Sequence, residues 1–179
     1  MVSCGRQHFG GLGVNGEVFL FGSNAAGQLG CRPNRRQANK FSFHPELVLG
    51  SEPVKLVCSM DHSLILLKNG CVASFGLGCD GQLGHGSLEN CYKPTIIKDL
   101  TNIIDIQSNG DWNIGILSNL FFRFVLQFYE HKVFDINEAL SKEGEVYAWG
   151  NNEYHQINSS EEQQIHTPVM ISYLSLIKS

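Results

Sequence analysis

Apolar and aromatic residues in this chain come in short runs of five, each fenced by glycine. EVFLF lies between Gly16 and Gly22, CVASF between Gly70 and Gly76, and EVYAW between Gly144 and Gly150. Runs of this length, rich in Val, Phe, Tyr and Trp and bounded by turn residues, read as β-strands on a buried, pleated surface. After the second glycine each copy passes through a polar turn to Gln28-Leu29-Gly30, Gln82-Leu83-Gly84 or Gln156-Ile157-Asn158. Asn is the other residue that tolerates the left-handed backbone glycine supplies. Upstream, CGRQH at Cys4 to His8 and CSMDH at Cys58 to His62 keep the same offset from the glycine run. The SLILLKN that follows His62 reads as a second strand, joined to CVASF by Asn69-Gly70. Asn15-Gly16 holds the same place in the first copy, and such a pair is expected to make a two-residue hairpin turn in which both residues accept positive φ.

The spacing is uneven. Gly70 follows Gly16 by 54 residues, whereas Gly144 follows Gly70 by 74. In the third copy SNGDWNIGILSN, ending at Asn119, matches the upstream strand, but Leu120 to Glu143 delays the next glycine; without those 24 residues the period is 50. The segment 120–143 is therefore expected to be an insertion within the third repeat, lying outside the stack of repeats. Its apolar part is too short to span a bilayer and carries Arg123 and Gln127. A helical excursion that docks a partner fits it, as does retained non-coding sequence, and its departure from the repeat favours the second. Deleting it joins Asn119 to Gly144, and the shortened chain is expected to be at least as stable.

A period near 50 built of short strands with glycine punctuation points to an all-β fold, a partial β-propeller of about three blades. The repeats fall at about 1–50, 51–104 and 105–179. Each unit has two apolar faces and cannot bury both alone, so neighbours must stack, and an arc of three has two raw ends. Met1 falls inside the first repeat, so an amino-terminal part is expected to precede it.

Composition narrows the function. The chain is 42% hydrophobic and 17% charged with a formal net charge of -4, and no basic footprint predicts direct DNA binding. Arg32, Arg35 and Arg36 form the only arginine cluster, read as a solvated loop. The six cysteines, at 4, 31, 58, 71, 79 and 91, include no Cys-x-x-Cys pair; they are expected to be small buried hydrophobes in a reducing compartment. No charged segment followed by an apolar core opens the chain, and no Arg-rich amphipathic one does.

The pattern Gly-x-Val with apolar residues up to the next glycine, the polar turn, Gln-Leu-Gly, and the upstream Cys-Gly-x-x-His together resemble the repeat of the regulator of chromosome condensation family. The resemblance covers nearly the whole chain apart from Leu120 to Glu143. DHSLILLKNG, GCDGQLG, NGDWNIGIL and WGNNEYHQI resemble consecutive blades of the family's mitochondrial, exchange-factor-like member. It implies a seven-bladed propeller when complete, mitochondrial localisation, and a GTPase or mitochondrial ribosome-assembly proteins as partners. RNA association is then indirect, and any contact with the inner mitochondrial membrane runs through a partner. The leading expectation is a non-enzymatic interaction propeller acting on or scaffolding a GTPase; a ribosomal RNA assembly scaffold and an inert truncated product are the alternatives. In the family's nuclear exchange factor, acidic and histidine side chains at the Cys-Gly-x-x-His corner help form the face that meets the GTPase. The matching positions are His8, Asp61, His62, and Asp111 with Trp112. A corner histidine also serves in many turns simply by bonding a neighbouring backbone.

Other motifs carry less. Gly11-Leu12-Gly13-Val14-Asn15-Gly16 spells the dinucleotide fingerprint, but a strand follows it where the fingerprint needs a helix. The seven histidines keep no metal-ligand offsets, and no Gly-x-Ser-x-Gly elbow is present. Asn158-Ser159-Ser160 is a glycosylation sequon that reads as a turn. No catalytic residue, metal or cofactor is expected. Exchange activity, if present, is physical: a partner face that favours the nucleotide-free GTPase weakens nucleotide binding by the same factor.

Overall fold

The computed structural model describes residues 1–33, 40–109, 136–141, 145–153, 155, 157 and 161–171. Its strands form three four-stranded antiparallel sheets. β1 (Val2–Cys4), β2 (His8–Leu12), β3 (Val18–Gly22) and β4 (Lys40–Phe43) make the first, and β5 (Pro53–Cys58), β6 (His62–Leu67), β7 (Val72–Gly76) and β8 (Cys91–Ile96) the second. The third holds β9 (Ile103–Asn109), β10 (Ile136–Ser141), β11 (Val146–Asn151) and β12 (Gln164–Ile171). In each sheet the strands bond in chain order, which is the up-and-down blade of a propeller. The runs EVFLF, CVASF and EVYAW supply the third strand of successive blades, as their periodicity requires. Among the described residues one short helix, α1 (Pro45–Leu49), starts on the preset φ of Pro45 and stops at Gly50, whose φ of 77° lets its N–H reach the Glu46 carbonyl at 2.9 Å.

Alternation along the middle blade shows why the blades stack. All six residues of β6 are buried. Leu64 and Leu66 join Val57, Val72, Ile97 and Leu100 in a core shared with Ile103, Ile106, Trp149 and Ile165 of the third blade. Ile65 and Leu67, pointing the other way, join Leu56, Cys58 and Phe75 in a core shared with Val18, Leu20 and Leu29 of the first. Side chains alternate faces at a period of two, so a continuous apolar strand needs a neighbour on both sides. Each such Leu or Ile contributes about 1.5–3 kcal/mol when fully buried, and here only the adjoining blade can complete that burial.

The Gln-Leu-Gly loops lock these seams. Leu29 and Leu83 are buried, and the glycines beside them, Gly30 and Gly84, have φ of 81° and 70°. A Cβ on Gly30 would meet the Phe75 ring at 3.3 Å, and one on Gly84 would meet Trp149 Nε1 at 3.0 Å. The Trp149 indole N–H donates to the Gln82 carbonyl at 3.0 Å. Phe75 and Trp149 close the strand runs of the second and third blades, so each loop seats on the aromatic residue of the blade that follows it.

Two expectations are corrected. The Asn-Gly pairs do not form two-residue turns: Gly16 N–H bonds Gly13 O at 3.1 Å and Gly70 N–H bonds Leu67 O at 2.9 Å, and within each pair only the glycine has positive φ. The asparagines act as acceptors instead, Asn15 Oδ1 taking the Glu17 N–H at 3.2 Å and Asn69 Oδ1 the Cys71 N–H at 3.0 Å. This is the longer hairpin loop with glycine in the left-handed position. The segment 120–143 does not lie wholly outside the stack, because β10 comes from it and pairs with both β9 and β11. β10 ends at Ser141 and β11 begins at Val146, a connection of the short length that usually joins hairpin strands. Residues 110–119, expected to supply that strand, lie outside the described residues.

Candidate functional site: the corner between blades

The turn from the first to the second strand has the same frame in two blades. Gly5 N–H bonds His8 O at 2.8 Å, and Ser59 N–H bonds His62 O at 3.0 Å. One residue before each histidine, the Gln7 carbonyl accepts from Ser23 N–H at 2.8 Å and the Asp61 carbonyl from Leu77 N–H at 2.9 Å. These bonds tie the corner to the residue just beyond the third strand, where Gly22 and Gly76 leave room: a Cβ there would lie 2.8 Å from His8 Cα or 2.7 Å from His62 Cα.

The corner histidines point into the seams. His8 is 2% and His62 0% exposed. His8 Nε2 lies 2.9 Å from Ser63 Oγ, and the Ser63 hydroxyl donates to the Gln28 carbonyl at 2.9 Å. The Ser63 proton is thus engaged with the carbonyl, and His8 Nε2 is the donor of the pair. Burial pushes the His8 pKa down to about 4; the neighbouring His62 acts in the same sense and Asp61 opposes it. His62 Nε2 stands 3.3 Å from Ser108 Oγ, which donates to Ser59 Oγ at 2.8 Å. Both rings are buried and join their own blade to the next through serine hydroxyls.

Asp61 remains at the rim. One carboxylate oxygen pairs with the Arg6 guanidinium of the first blade and the other accepts from Gln28 Nε2 at 3.3 Å. The Asp61 side chain is 13% exposed and that of Arg6 54%. Gln28 Oε1 in turn accepts from Ala26 N–H at 3.0 Å, fixing the Gln-Leu-Gly loop beneath the pair. Arg6 and Gln28 escaped the sequence reading of the site because the second repeat has Met60 at the position of Arg6, and Gln28 belongs to a motif read as structural. A second charged bridge, Lys55 Nζ to Asp105 Oδ1 at 2.5 Å, spans the first strands of the second and third blades. Asp111 and Trp112 lie outside the described residues. Among the described residues no group of three or more His, Cys, Asp or Glu is placed to hold a metal ion.

Stacked meander blades, loops interlocked with the following blade and a charged rim at the corner define a repeat propeller arc of the kind that works through its surface. The Regulator of chromosome condensation (RCC1) repeat matches residues 15–66, 69–111 and 143–178, and the chain belongs to that family. It is 31% identical over 173 residues to the human RCC1-like G exchanging factor-like protein, covering 93% of this chain and 32% of the relative. It superposes on the crystal structure of human WBSCR16 with a TM-score of 0.74 and 28% identity, covering 96% of this chain and 38% of that one. Yeast RCC1 (Prp20), crystallised bound to Kap60, shares the fold at a TM-score of 0.51 and 17% identity, over 96% of this chain and 48% of that one. The chain spans about a third of the length of the human and mouse exchange-factor-like relatives.

Proposed function

We propose that this arc is part of the interaction surface of a non-covalent GTPase regulator or scaffold, and that the Arg6–Asp61 rim is a contact on that surface. The observation that carries the reading is the placement of Asp61. It is the one residue of the expected corner set, among those described, whose side chain reaches the surface, and it is held there by Arg6 and Gln28 across a blade seam. Support for a GTPase as partner comes from the exchange-factor-like relative named above. A mitochondrial setting belongs to the same proposal and rests on the resemblance of the blade sequences; imaging the tagged protein beside a mitochondrial marker tests it.

The discriminating experiment measures binding of this chain to a panel of small and dynamin-like GTPases, each prepared nucleotide-free and GDP-loaded. Tighter binding to one nucleotide-free form is expected, because an exchange factor and the nucleotide weaken each other's binding reciprocally. Asp61→Ala and Arg6→Ala should weaken it more than Asp80→Ala. Truncating one partner of a charged contact that a partner desolvates costs about 2–5 kcal/mol, whereas a charge outside the contact mainly alters association rate. Equal affinity for both nucleotide states rejects exchange and leaves a scaffold, and no binding across the panel rejects a GTPase partner; equal affinities of the three variants reject the corner as the contact. Three blades alone are expected to bind without accelerating nucleotide release.

A further inference from the structure

The corner rim holds two opposite charges, and their bonds decide which of them a partner meets. Asp61 is spent inside the protein. Each of its carboxylate oxygens already takes a donor, one from Arg6 and one from Gln28 Nε2, and its side chain is largely shielded. Arg6 gives a single Nη2 N–H to that carboxylate and keeps the rest of its guanidinium donors, with more than half of the side chain open to solvent. The backbone beneath it is pinned. A Cβ on Gly5 would lie 1.9 Å from the Ser59 carbonyl oxygen and 2.8 Å from His8 Cε1, so the turn that carries Arg6 is seated against the corner of the next blade. Asp61 is fixed in its turn by Gln28, whose carbonyl is held by Ser63 and whose Oε1 holds the Ala26 N–H. The guanidinium is thus aimed before any partner arrives, and a planar fork with spare N–H groups matches a carboxylate two bonds at a time. The second repeat has Met60 in the place of Arg6, so the next corner lacks the fork.

We propose that the corner recognises an acidic side chain of its partner through Arg6, and that Asp61 is a positioning residue that holds the guanidinium in place. This rests on the reading of the corner as an interaction surface and names the chemistry that surface fits. The exposed end of the pair is positive, so the group that meets it is an anion. A carboxylate suits it better than a phosphate. Among the described residues no second Lys or Arg joins the bonds of this corner, and the Asp61 charge beside the fork repels a dianion more than a monoanion.

The test titrates the isotope-labelled native chain, slightly below neutral pH, with a short peptide alternating Glu and Gly, with its Lys-Gly counterpart, and with inorganic phosphate. The Nε–Hε resonance of Arg6 is followed by NMR against those of the other arginines. The Glu peptide is expected to move Arg6 most, and the Lys peptide to leave it in place. Arg6→Lys keeps the charge and loses the fork, so Glu-peptide affinity, read from the backbone resonances of the corner, should fall about tenfold, the lower end for a hydrogen bond to a charged group. Asp61→Asn keeps an oxygen for Arg6 and removes the opposing charge. That variant should bind the Glu peptide at least as tightly as the native chain, an outcome that mere structural damage would not give. Tighter binding of the Lys peptide by the native chain, weakened by Asp61→Asn, overturns the proposal and returns the contact to Asp61. Phosphate moving Arg6 as far as the Glu peptide does overturns the carboxylate assignment, and an Arg6 resonance that no probe moves overturns the fork. The peptides have no nucleotide site, so a panel without a GTPase binder leaves this result standing, and failure here leaves the GTPase reading to its own test.

Discussion

Gly84→Ala tests the claim that the Gln-Leu-Gly loops lock one blade to the next. The substitution acts in two ways. It forces an L side chain into a φ of 70°, which costs about 1–2 kcal/mol. It also sets a methyl 3.0 Å from Trp149 Nε1 and 3.1 Å from Cδ1, in a buried seam where the indole is held by its bond to the Gln82 carbonyl. Overpacking of that kind adds about 1–3 kcal/mol, so a total of about 2–5 kcal/mol is expected. Gly50→Ala separates the two parts, because Gly50 has a φ of 77° and nothing within 4 Å of a Cβ built on it. It should lose only the backbone part, about 1–2 kcal/mol. Urea unfolding followed by Trp fluorescence and by far-UV circular dichroism gives both values under one set of conditions. Equal destabilisation by the two substitutions would refute the seam argument, since the backbone cost they share would then explain both.

The remaining expectations concern pH, the third blade and the corner. His8 titrates near 4 in the folded chain against an ordinary 6.5, so the unfolded chain takes up the proton first as pH falls. Its stabilising share is present in full above about 6.5 and is lost towards pH 4, about 3 kcal/mol at 1.36 kcal/mol per pH unit; His8→Gln should flatten the fall in unfolding free energy over that window, and an unaltered slope would count against the assignment. Deleting 120–143 removes β10 from between β9 and β11 and should lower the thermal midpoint; an equal or higher midpoint would show that residues 110–119 can supply the strand instead. The ranking of Asp61→Ala and Arg6→Ala above Asp80→Ala in partner binding completes the set.

Much of the fold was legible because glycine marks where strands stop. EVFLF, CVASF and EVYAW are interrupted at positions whose φ reaches 108°, 117° and 116° at Gly22, Gly76 and Gly150, and a side chain rarely adopts such a backbone. The unbroken apolar run of β6 likewise announced burial on both faces. The origin of β10 was hidden because INEALS mixes polar and apolar residues without a clean period of two, while NGDWNIGIL fits the repeat register. At the corner, side-chain parity held a signal that went unused: His62 shares its face with Leu64 and Leu66, which predicts a ring turned into the seam. Arg6 left no such trace, since its part depends on meeting Asp61 from the neighbouring blade, 55 residues away in the chain.

The forward seating of each loop also gives the arc a direction in time. Gly30 lies against Phe75 and Pro94 of the second blade, and Gly84 against Trp149 of the third as well as Ile97. During synthesis from the amino terminus, a blade therefore leaves its Gln-Leu-Gly loop open until the strand run of the next repeat has emerged. Each blade acts as the template that completes its predecessor. A pause in translation anywhere between Gly84 and Trp149 would leave the second blade's loop without the Trp149 ring for as long as it lasted.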